Sequence, residues 1–296
     1  MLKSLMLIVN PAAGKGRVRY NLYGIVSEFA AAGYAVNVFM TTKRGDATTY
    51  AAECGAQHDL VACIGGDGTL SETMAGLMHV DPASRPAIGY IPMGTANDVS
   101  ATLKLSRNPR EAARTVVYKS PHEVDVGRLG TDYFSYIAAF GSFTEVSYST
   151  PQERKRVLGH LAYILEGMAS LQKITSYKAT VVHDEGVIEG DFLFGAVTNS
   201  TSVAGLVRLD ESTVNLSDGY FEILLIRNPQ GAADLNSIIT SILNKNYDPT
   251  HVIYLHSRKI AFAFDQPVAW TRDGEAGGEY TSVEVENLHR AVQLIY

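Results

Sequence analysis

The chain has 296 residues, of which 46% are hydrophobic and 19% are charged, a composition that supports a full hydrophobic core and argues against a disordered protein. The formal net charge of −6 argues against nucleic-acid binding and against electrostatic adhesion of the whole protein to anionic membranes, while leaving room for a local basic patch. Cys54 and Cys63 form neither a disulfide framework nor a zinc spacing, and we interpret them as small buried hydrophobes.

The N-terminal apolar run, residues 5–9, is too short for the core of a signal peptide. Elsewhere, too, no apolar run approaches the ~20 residues that a membrane-spanning helix needs. We therefore expect a cytoplasmic protein.

The first part of the chain alternates between strand and helix signals. Continuous apolar runs, typical of strands buried on both faces, occur at 5–9, 34–40, 60–64 and 87–91. Between them, helices are predicted from Val18 to a C-cap at Gly33, from an N-cap at Asp46 to about residue 56, and over 70–78. This alternation predicts an N-terminal, doubly wound, Rossmann-like α/β domain with a parallel sheet, over residues 1–121.

The pattern changes near Pro121, after which short strand signals separated by turns dominate. Strands are predicted at 132–139, 178–183, 192–198, 220–226, 259–264 and 281–285, with helices near 153–171 and 232–244. We expect a mostly antiparallel β domain over residues 122–296, whose last few residues can return to the first domain.

Three loops in the first domain follow predicted strands and are rich in small residues. They are the segments NPAAGK at 10–15, GGDGT at 65–69 and IPMGTAND at 91–98. Ligands bind at the carboxyl ends of the strands in open α/β sheets, and glycines there let backbone N–H groups approach phosphate oxygens. Each loop taken alone could be a simple turn, but three on one sheet edge favour a phosphate site.

The common nucleotide-binding motifs are absent from these loops. Gly14-Lys15 lacks the upstream glycine of a P-loop, and Gly16 stands where a Ser or Thr would follow the lysine. Arg19 occupies the last position of a G-x-G-x-x-G pattern. The phosphate cradle must therefore be of another type.

The order of five motifs resembles the soluble bacterial diacylglycerol kinase family, lipid kinases related to sphingosine and ceramide kinases. These motifs are NPAAGK, GGDGTLSE, IPMGTANDV, the VDVG segment at 124–127 and Asp273-Gly274-Glu275. GGDGT alone also occurs in NAD kinases and, loosely, in phosphofructokinases. Its combination with IPMGTAND and a distant DGE is much more specific, and the resemblance spans nearly the whole chain.

The resemblance implies a site for ATP, Mg²⁺ and a lipid. It assigns nucleotide binding to Asn10, Pro11, Ala12, Ala13, Gly14, Lys15, Thr41, Gly65, Gly66, Asp67, Gly68, Thr69, Leu70, Ser71 and Thr95. It makes Asp67 the acidic residue that contacts Mg²⁺ through water, and Glu275 in the β-rich, lipid-acceptor domain the general base. It also implies a second metal site with the carboxylate of Asp218 and the backbone carbonyls of Asn215 and Tyr220, oxygen ligands that suit Mg²⁺.

Two positions depart from the family pattern. Ser212 and Val214 stand near the places where relatives carry a Pro and an Ala before their Asp-Gly. Glu166 lies where relatives often carry a basic residue. The first departure affects the geometry of the loop, and the second affects the surface that would face a membrane.

The function that these observations favour is an ATP- and Mg²⁺-dependent lipid kinase of phospholipid biosynthesis. It would transfer the γ-phosphate to a lipid hydroxyl, with diacylglycerol as the favoured acceptor and phosphatidic acid as the product. Two alternatives stay open, an NAD kinase and a non-catalytic regulator that binds a nucleotide or a lipid. The sequence fixes neither the acyl preference nor the choice of ATP over GTP, and it leaves open whether the protein is a homodimer.

A lipid acceptor implies transient, peripheral contact with the membrane surface. Arg154, Lys155 and Arg156 form the densest basic cluster, and each cation near an anionic surface contributes ~1 kcal/mol, or ~3 kcal/mol in all. We expect reversal of all three charges to weaken binding to anionic vesicles and to spare ATP affinity, as co-sedimentation at low and high salt would measure. Unchanged vesicle binding and activity would instead mark the cluster as a solvated helix start.

Overall fold

The computed structural model describes residues 2–95, 97–141, 175–203, 207–209 and 214–296. Ser212, the predicted helix near 153–171, its basic cluster and Glu166 lie outside these residues. The chain divides into two compact units. The first unit comprises Met1–Val126, Tyr133–Ser135 and His289–Tyr296, and the second comprises Gly127–Asp132 and Tyr136–Leu288.

The first unit contains the parallel sheet that the apolar runs predict. Its strands and helices are β1 (Lys3–Val9), α1 (Val18–Ala31), β2 (Tyr34–Met40), α2 (Asp46–Cys54), β3 (Leu60–Gly65), α3 (Asp67–Leu77), β4 (Ala87–Pro92), α4 (Asp98–Thr102) and α5 (Pro109–Tyr118). The strands run in the order β4-β3-β1-β2, and all their pairings are parallel. The predicted doubly wound α/β architecture is confirmed.

The core of this unit forms because the strands are apolar along their length and the helices cover them. Residues Leu5 to Val9 of β1 are completely buried, as are Val61 to Ile64 of β3. Helix α1 packs on α5, and α2 packs on α3, where a side chain at Gly76 would come within 2.3 Å of the Thr48 carbonyl oxygen. These contacts hold the helices close to the sheet and fix the loops at its edges.

Two local differences from the predicted elements have clear causes. Helix α5 was not predicted, although Asn108 caps it by accepting from the N–H groups of Arg110 and Glu111, and Pro109 starts it. Asp46 is not the N-cap of α2, because Gly45 takes that position with a φ of 85° and Asp46 is the first helical residue.

The second unit is built mainly from antiparallel strands, as predicted. Its elements are β5 (Pro121–Leu129) and β6 (Asp132–Phe134), both shared with the first unit, together with β7 (Ile137–Gly141), β8 (Tyr177–His183), β9 (Gly186–Thr198), β10 (Ser202–Val203), β11 (Val207–Arg208), β12 (Phe221–Arg227), α6 (Ala232–Asn244), β13 (Val252–Ser257), β14 (Lys259–Arg272) and β15 (Glu275–Ile295). The neighbouring strands β13-β12-β9-β7-β14-β15 all pair antiparallel.

The chain ends back in the first unit. The last residues of β15 pair parallel with β4, Leu294 with Ile88 and Ile295 with Gly89. Just before this pairing, the N–H of Arg290 donates to the buried carboxylate of Asp125 at 2.7 Å. Asp125, the acidic residue of the VDVG segment, therefore has a structural contact.

The two cysteines differ in their surroundings. Cys63 is completely buried on β3, and burial raises the pKa of its thiol to about 12. Cys54, at the end of α2, is half-buried. Both are free thiols. Cys63 therefore behaves as the buried hydrophobe that the sequence indicated.

Within the described residues, no helix is long and apolar enough to cross a membrane.

Arg85 connects three parts of the first unit through backbone carbonyls. Its guanidinium donates to Leu77 at 2.8 Å, to Val80 at 3.0 Å and to Ala291. Burial lowers the pKa of Arg85, and these carbonyls at the end of α3 and in the C-terminal segment provide the oxygen atoms that replace its lost hydration.

We expect Arg85→Met to lower the free energy of unfolding by about 2–3 kcal/mol, because it leaves several carbonyls without their charged donor. Urea unfolding followed by circular dichroism measures this loss. Arg114→Met is the matched control, since Arg114 pairs with Glu28 on the surface and screening by water should make its loss much smaller. Equal losses of unfolding free energy for the two substitutions would show that the buried contacts of Arg85 add no more stability than a surface ion pair.

Candidate functional site

The loops after β1, β3 and β4 lie at the same edge of the first unit's sheet, where the carboxyl ends of the parallel strands meet. The strand order reverses between β1 and β3, since the chain adds β2 on one side of β1 and β3 and β4 on the other. Open α/β sheets bind ligands at such a reversal point. The two loops that flank it are NPAAGK and GGDGT.

The first loop presents backbone N–H groups because its residues take unusual conformations. Gly14, Lys15 and Gly16 have φ values of 59°, 57° and 77°. Successive backbone N–H groups in turn conformations form anion-binding concavities. The side chain of Lys15 is exposed, so it can reach an anion above the loop.

Asn10 ties the first loop to the second. Its Oδ1 atom accepts from the N–H of Ala12 at 3.0 Å, and its Nδ2 atom donates to Oγ1 of Thr69 at 3.3 Å. Thr69 is buried in the first turn of α3. The predicted residues Asn10 and Thr69 are thus brought together as a structural pair.

The second and third loops are in direct backbone contact. The Gly65 carbonyl accepts from the N–H groups of Met93 at 2.7 Å and Gly94 at 3.0 Å. A side-chain carbon at Gly94 would lie 2.4 Å from the Cα atom of Gly66, and one at Gly14 would lie 2.7 Å from the Met93 carbonyl oxygen. Glycine is therefore required by space at these positions.

Asp67 is the first residue of α3, three residues before the predicted start of that helix. Its carboxylate is buried, and Oδ1 accepts from the Tyr90 hydroxyl and from the N–H of Val99, each at 3.3 Å. Negative charge in the first turn of a helix is stabilised by the helix dipole. The carboxylate of Asp67 therefore lies at the N-terminus of α3, close to the backbone N–H groups of the first turn of that helix.

The other predicted nucleotide residues have varied surroundings. The N–H of Thr41 donates to the Val9 carbonyl at 2.9 Å, which places the end of β2 beside the end of β1. The side chain of Leu70 is completely buried, so only its backbone could contact a ligand. Thr95 is exposed and Ser71 is half-buried. Pro11 and Ala12 are exposed at the tip of the first loop, Ala13 is half-buried behind them, and Gly68 is half-buried in the first turn of α3.

The loop after β2 is organised by two carboxylates that the sequence did not single out for this role. Oδ2 of Asp46 accepts from the N–H groups of Thr42 at 2.7 Å and Lys43 at 3.0 Å. Oε1 of Glu72, on α3, accepts from the N–H of Gly45 at 3.0 Å. The GGDGTLSE motif therefore continues to a residue that holds the neighbouring loop.

In the second unit, Asp273 and Gly274 form the two-residue turn between β14 and β15, with φ values of 49° and 81°. The buried carboxylate of Asp273 accepts from the N–H groups of Tyr136 and Ile137, each at 3.0 Å. Glu275 follows directly and is half-buried, and it lies opposite Arg272 in the antiparallel register of β14 and β15. Asp273 thus anchors the turn that presents Glu275, a role that the turn pattern alone did not reveal.

The segment predicted to hold a second metal is a compact turn in the same unit. Oδ1 of Asn215 accepts from the N–H of Ser217 at 3.1 Å, and Oδ1 of Asp218 accepts from the N–H of Tyr220 at 2.9 Å. The Tyr220 carbonyl accepts from Nδ2 of Asn287 at 3.1 Å. Asp218 is exposed, so its carboxylate is open to a cation from solvent.

A family model and the curated relatives that this chain resembles point to the same protein family. The family model described as diacylglycerol kinase catalytic domain matches residues 4–129. A diacylglycerol kinase of Bacillus subtilis is 30% identical over 99% of this chain and 96% of its own length. One of Staphylococcus aureus (strain MRSA252) is 30% identical over 99% of this chain and 92% of its own.

Solved structures agree with the sequence relatives. A crystal structure described as a putative diacylglycerol kinase from Bacillus anthracis matches all of this chain and 95% of its own, with a TM-score of 0.81 and 27% identity. A second structure with a similar description matches with a TM-score of 0.79, 26% identity and 97% coverage of its own chain.

The Asp46 carboxylate gives a pH-dependent test of the loop after β2. The N–H of Thr42, and then that of Lys43, lower the pKa of Asp46 below its ordinary value of 3.8. Its contribution to stability is therefore present above that value and is lost as the pH falls through the lowered pKa. We expect Asp46→Asn to lower the urea midpoint at neutral pH.

The difference between Asp46→Asn and the parent protein should shrink as the pH falls below 3.8. Asp248→Asn is the matched control, because the N–H of Thr250 lowers the pKa of Asp248 in the same way but in the second unit. A difference for Asp46→Asn that is independent of pH would contradict the assignment.

Proposed function

This chain belongs to the diacylglycerol kinase family, and we propose that it transfers the γ-phosphate of ATP to the free hydroxyl of diacylglycerol, giving phosphatidic acid. The observation that carries the proposal is the meeting of three glycine-rich loops at the carboxyl edge of the parallel sheet, with Asp67 in the first turn of α3. Phosphoryl transfer depends mainly on positioning and charge neutralisation, which such an edge can provide.

We assign the triphosphate to the predicted loop residues, from Asn10 to Lys15 and from Gly65 to Ser71. The N–H groups of the positive-φ segment Gly14–Gly16 and the N-terminus of α3 offer donors to phosphate oxygens. Thr41 and Thr95, at the ends of β2 and β4, border the same edge. The ammonium group of Lys15 would add a positive charge beside the phosphates.

We assign Mg²⁺ to the carboxylate of Asp67, through water. Mg²⁺ keeps several waters and is commonly bound by one or two carboxylates together with substrate phosphates. Among the residues that the structure describes, no group of three His, Cys, Asp or Glu side chains could hold a metal, and a site of this kind does not need one. When bound, the ion would neutralise charge on the transferred phosphoryl group.

We assign a second, partly structural Mg²⁺ to the turn of Asn215, Asp218 and Tyr220. The exposed carboxylate of Asp218 and backbone carbonyls from the same turn are hard oxygen ligands, the type that this ion prefers. Hydrogen bonds within the turn orient the side chains of Asn215 and Asp218.

Glu275 is the proposed general base for the lipid hydroxyl. It is half-buried and directly follows the turn in which Oδ1 of Asp273 accepts from the N–H groups of Tyr136 and Ile137. A positioned base of this type contributes ~10²–10⁴ in rate.

The acceptor resides in a bilayer, so we also propose that the enzyme contacts the membrane transiently. The homodimer stays a prediction.

The most informative experiment supplies the purified protein with ATP, Mg²⁺ and a cellular lipid extract, with NAD in a parallel reaction. Mass spectrometry then shows which molecule gains a phosphate. We expect phosphatidic acid in the first reaction and no phosphorylated NAD in the second. Phosphorylation of NAD alone, or ATP binding without any product, would support one of the two alternatives instead.

The two carboxylates should give different defects when removed. We expect Asp67→Ala to abolish turnover and to remove the effect of Mg²⁺ on ATP binding, whereas Glu275→Gln should lower kcat by ~10²–10⁴ and leave ATP binding intact. Glu279→Gln, an exposed change on the same strand, is the control for the second variant. Near-normal kcat in Glu275→Gln would remove Glu275 from the mechanism.

A further inference from the structure

Tyr90 is a polar side chain inside the sheet, and its hydroxyl ends between two functional loops. The residue lies on β4 and is completely buried. Its hydroxyl oxygen is 3.3 Å from Oδ1 of Asp67, the first residue of α3, and 3.5 Å from Oδ1 of Asn97, in the loop after β4. All three residues belong to the first unit.

The orientation of Asn97 is set by its own contacts. Its Nδ2 atom donates to the Gly94 carbonyl at 2.9 Å, which turns Oδ1 toward Tyr90. Asn97 has a φ of 54°, a left-handed conformation that asparagine tolerates better than most residues. Its carbonyl also accepts from the hydroxyl of Ser100 at 3.0 Å. The third loop therefore brings an oxygen acceptor to the hydroxyl that Asp67 also uses.

A phenol has a single proton to donate, so the Tyr90 hydroxyl can serve one of these acceptors at a time. The Asp67 carboxylate is the closer, and a bond to an ionised acceptor is the stronger. Burying a hydroxyl costs free energy that a phenylalanine at the same place would avoid. Its position against a carboxylate in the active-site loops thus points to a function beyond packing.

We propose that Tyr90 is a positioning residue, which orients the Asp67 carboxylate for Mg²⁺ and so couples the metal to nucleotide binding. This inference rests on the proposed function, in which Asp67 orders Mg²⁺ beside the phosphates. The N–H of Val99 fixes Oδ1 from one direction and the Tyr90 hydroxyl fixes it from another. Two donors from different elements hold a carboxylate group more firmly than either alone.

The test is Tyr90→Phe, which keeps every ring atom and removes only the hydroxyl. Calorimetric titration with ATP, with and without Mg²⁺, gives the factor by which the ion strengthens ATP binding. We expect that factor to fall by about tenfold in Tyr90→Phe, the loss typical of one hydrogen bond to a charged group, and ATP affinity without Mg²⁺ to stay unchanged.

Tyr34→Phe is the matched control. Tyr34 starts β2 at the opposite, amino end of the strands and is a half-buried tyrosine of the same sheet. Its loss should leave the Mg²⁺ factor at the parent value. Kinase turnover is a second readout: Tyr90→Phe should be slow at low Mg²⁺ and should recover at saturating Mg²⁺. A variant damaged only in its fold would stay slow, and that outcome would overturn the proposal.

Asp67→Asn distinguishes a failure of the positioning role of Tyr90 from a failure of the Mg²⁺ assignment to Asp67. If Asp67→Asn loses the Mg²⁺ factor while Tyr90→Phe keeps it, the positioning role of Tyr90 is wrong and the proposed function stands. If Asp67→Asn itself keeps the factor, the assignment of Mg²⁺ to Asp67 is wrong and the inference falls with it. Loss in both variants, with Tyr34→Phe unchanged, supports the proposal.

Discussion

The candidate nucleotide site depends on one backbone contact, the approach of Gly94 to Gly65 and Gly66. The Gly65 carbonyl binds the first two N–H groups of the loop after β4, and no side chain fits between the two loops at Gly94. This contact places the N-terminus of α3 and the IPMGTAND loop side by side. The first loop joins the same arrangement because Gly14 lies against the carbonyl of Met93. Lack of space therefore explains the glycine at position 94, whereas at Gly14 both the lack of space and the φ of 59° favour glycine.

Buried carboxylates give the loops their remaining order. Asp46 binds the N–H groups of its own loop, Asp125 binds Arg290, and Asp273 binds two N–H groups of a neighbouring segment. Each replaces its lost hydration with backbone donors, which is the condition for burying charge without a large cost. Asp67 is buried as well, but one of its donors is a backbone N–H, that of Val99, and the other is the Tyr90 hydroxyl. The same chemistry thus produces structural anchors at three places and, we propose, a metal contact at the fourth.

The parallel sheet could be predicted from sequence because its strands are uninterrupted apolar runs, and the order of the motifs predicted the family. The anchoring role of Asp273 could not, since Asp-Gly reads as an ordinary turn and the acceptor geometry depends on Tyr136, distant in sequence. Tyr90 was missed because a tyrosine in an apolar strand resembles any core residue. Helix α5 had a readable start at Asn108-Pro109, so that miss was avoidable.

The claim that closely packed glycine loops form the ATP site is tested most directly by the ATP affinity of Gly94→Ala, measured by calorimetry. A side-chain carbon there would lie 2.4 Å from the Cα atom of Gly66, whereas one at Gly186 would meet nothing within 4 Å, which makes Gly186→Ala the control. We predict that Gly94→Ala weakens ATP binding by at least about tenfold relative to Gly186→Ala, because the loops must separate to accommodate the methyl group. Equal ATP affinities in two folded variants would contradict the account.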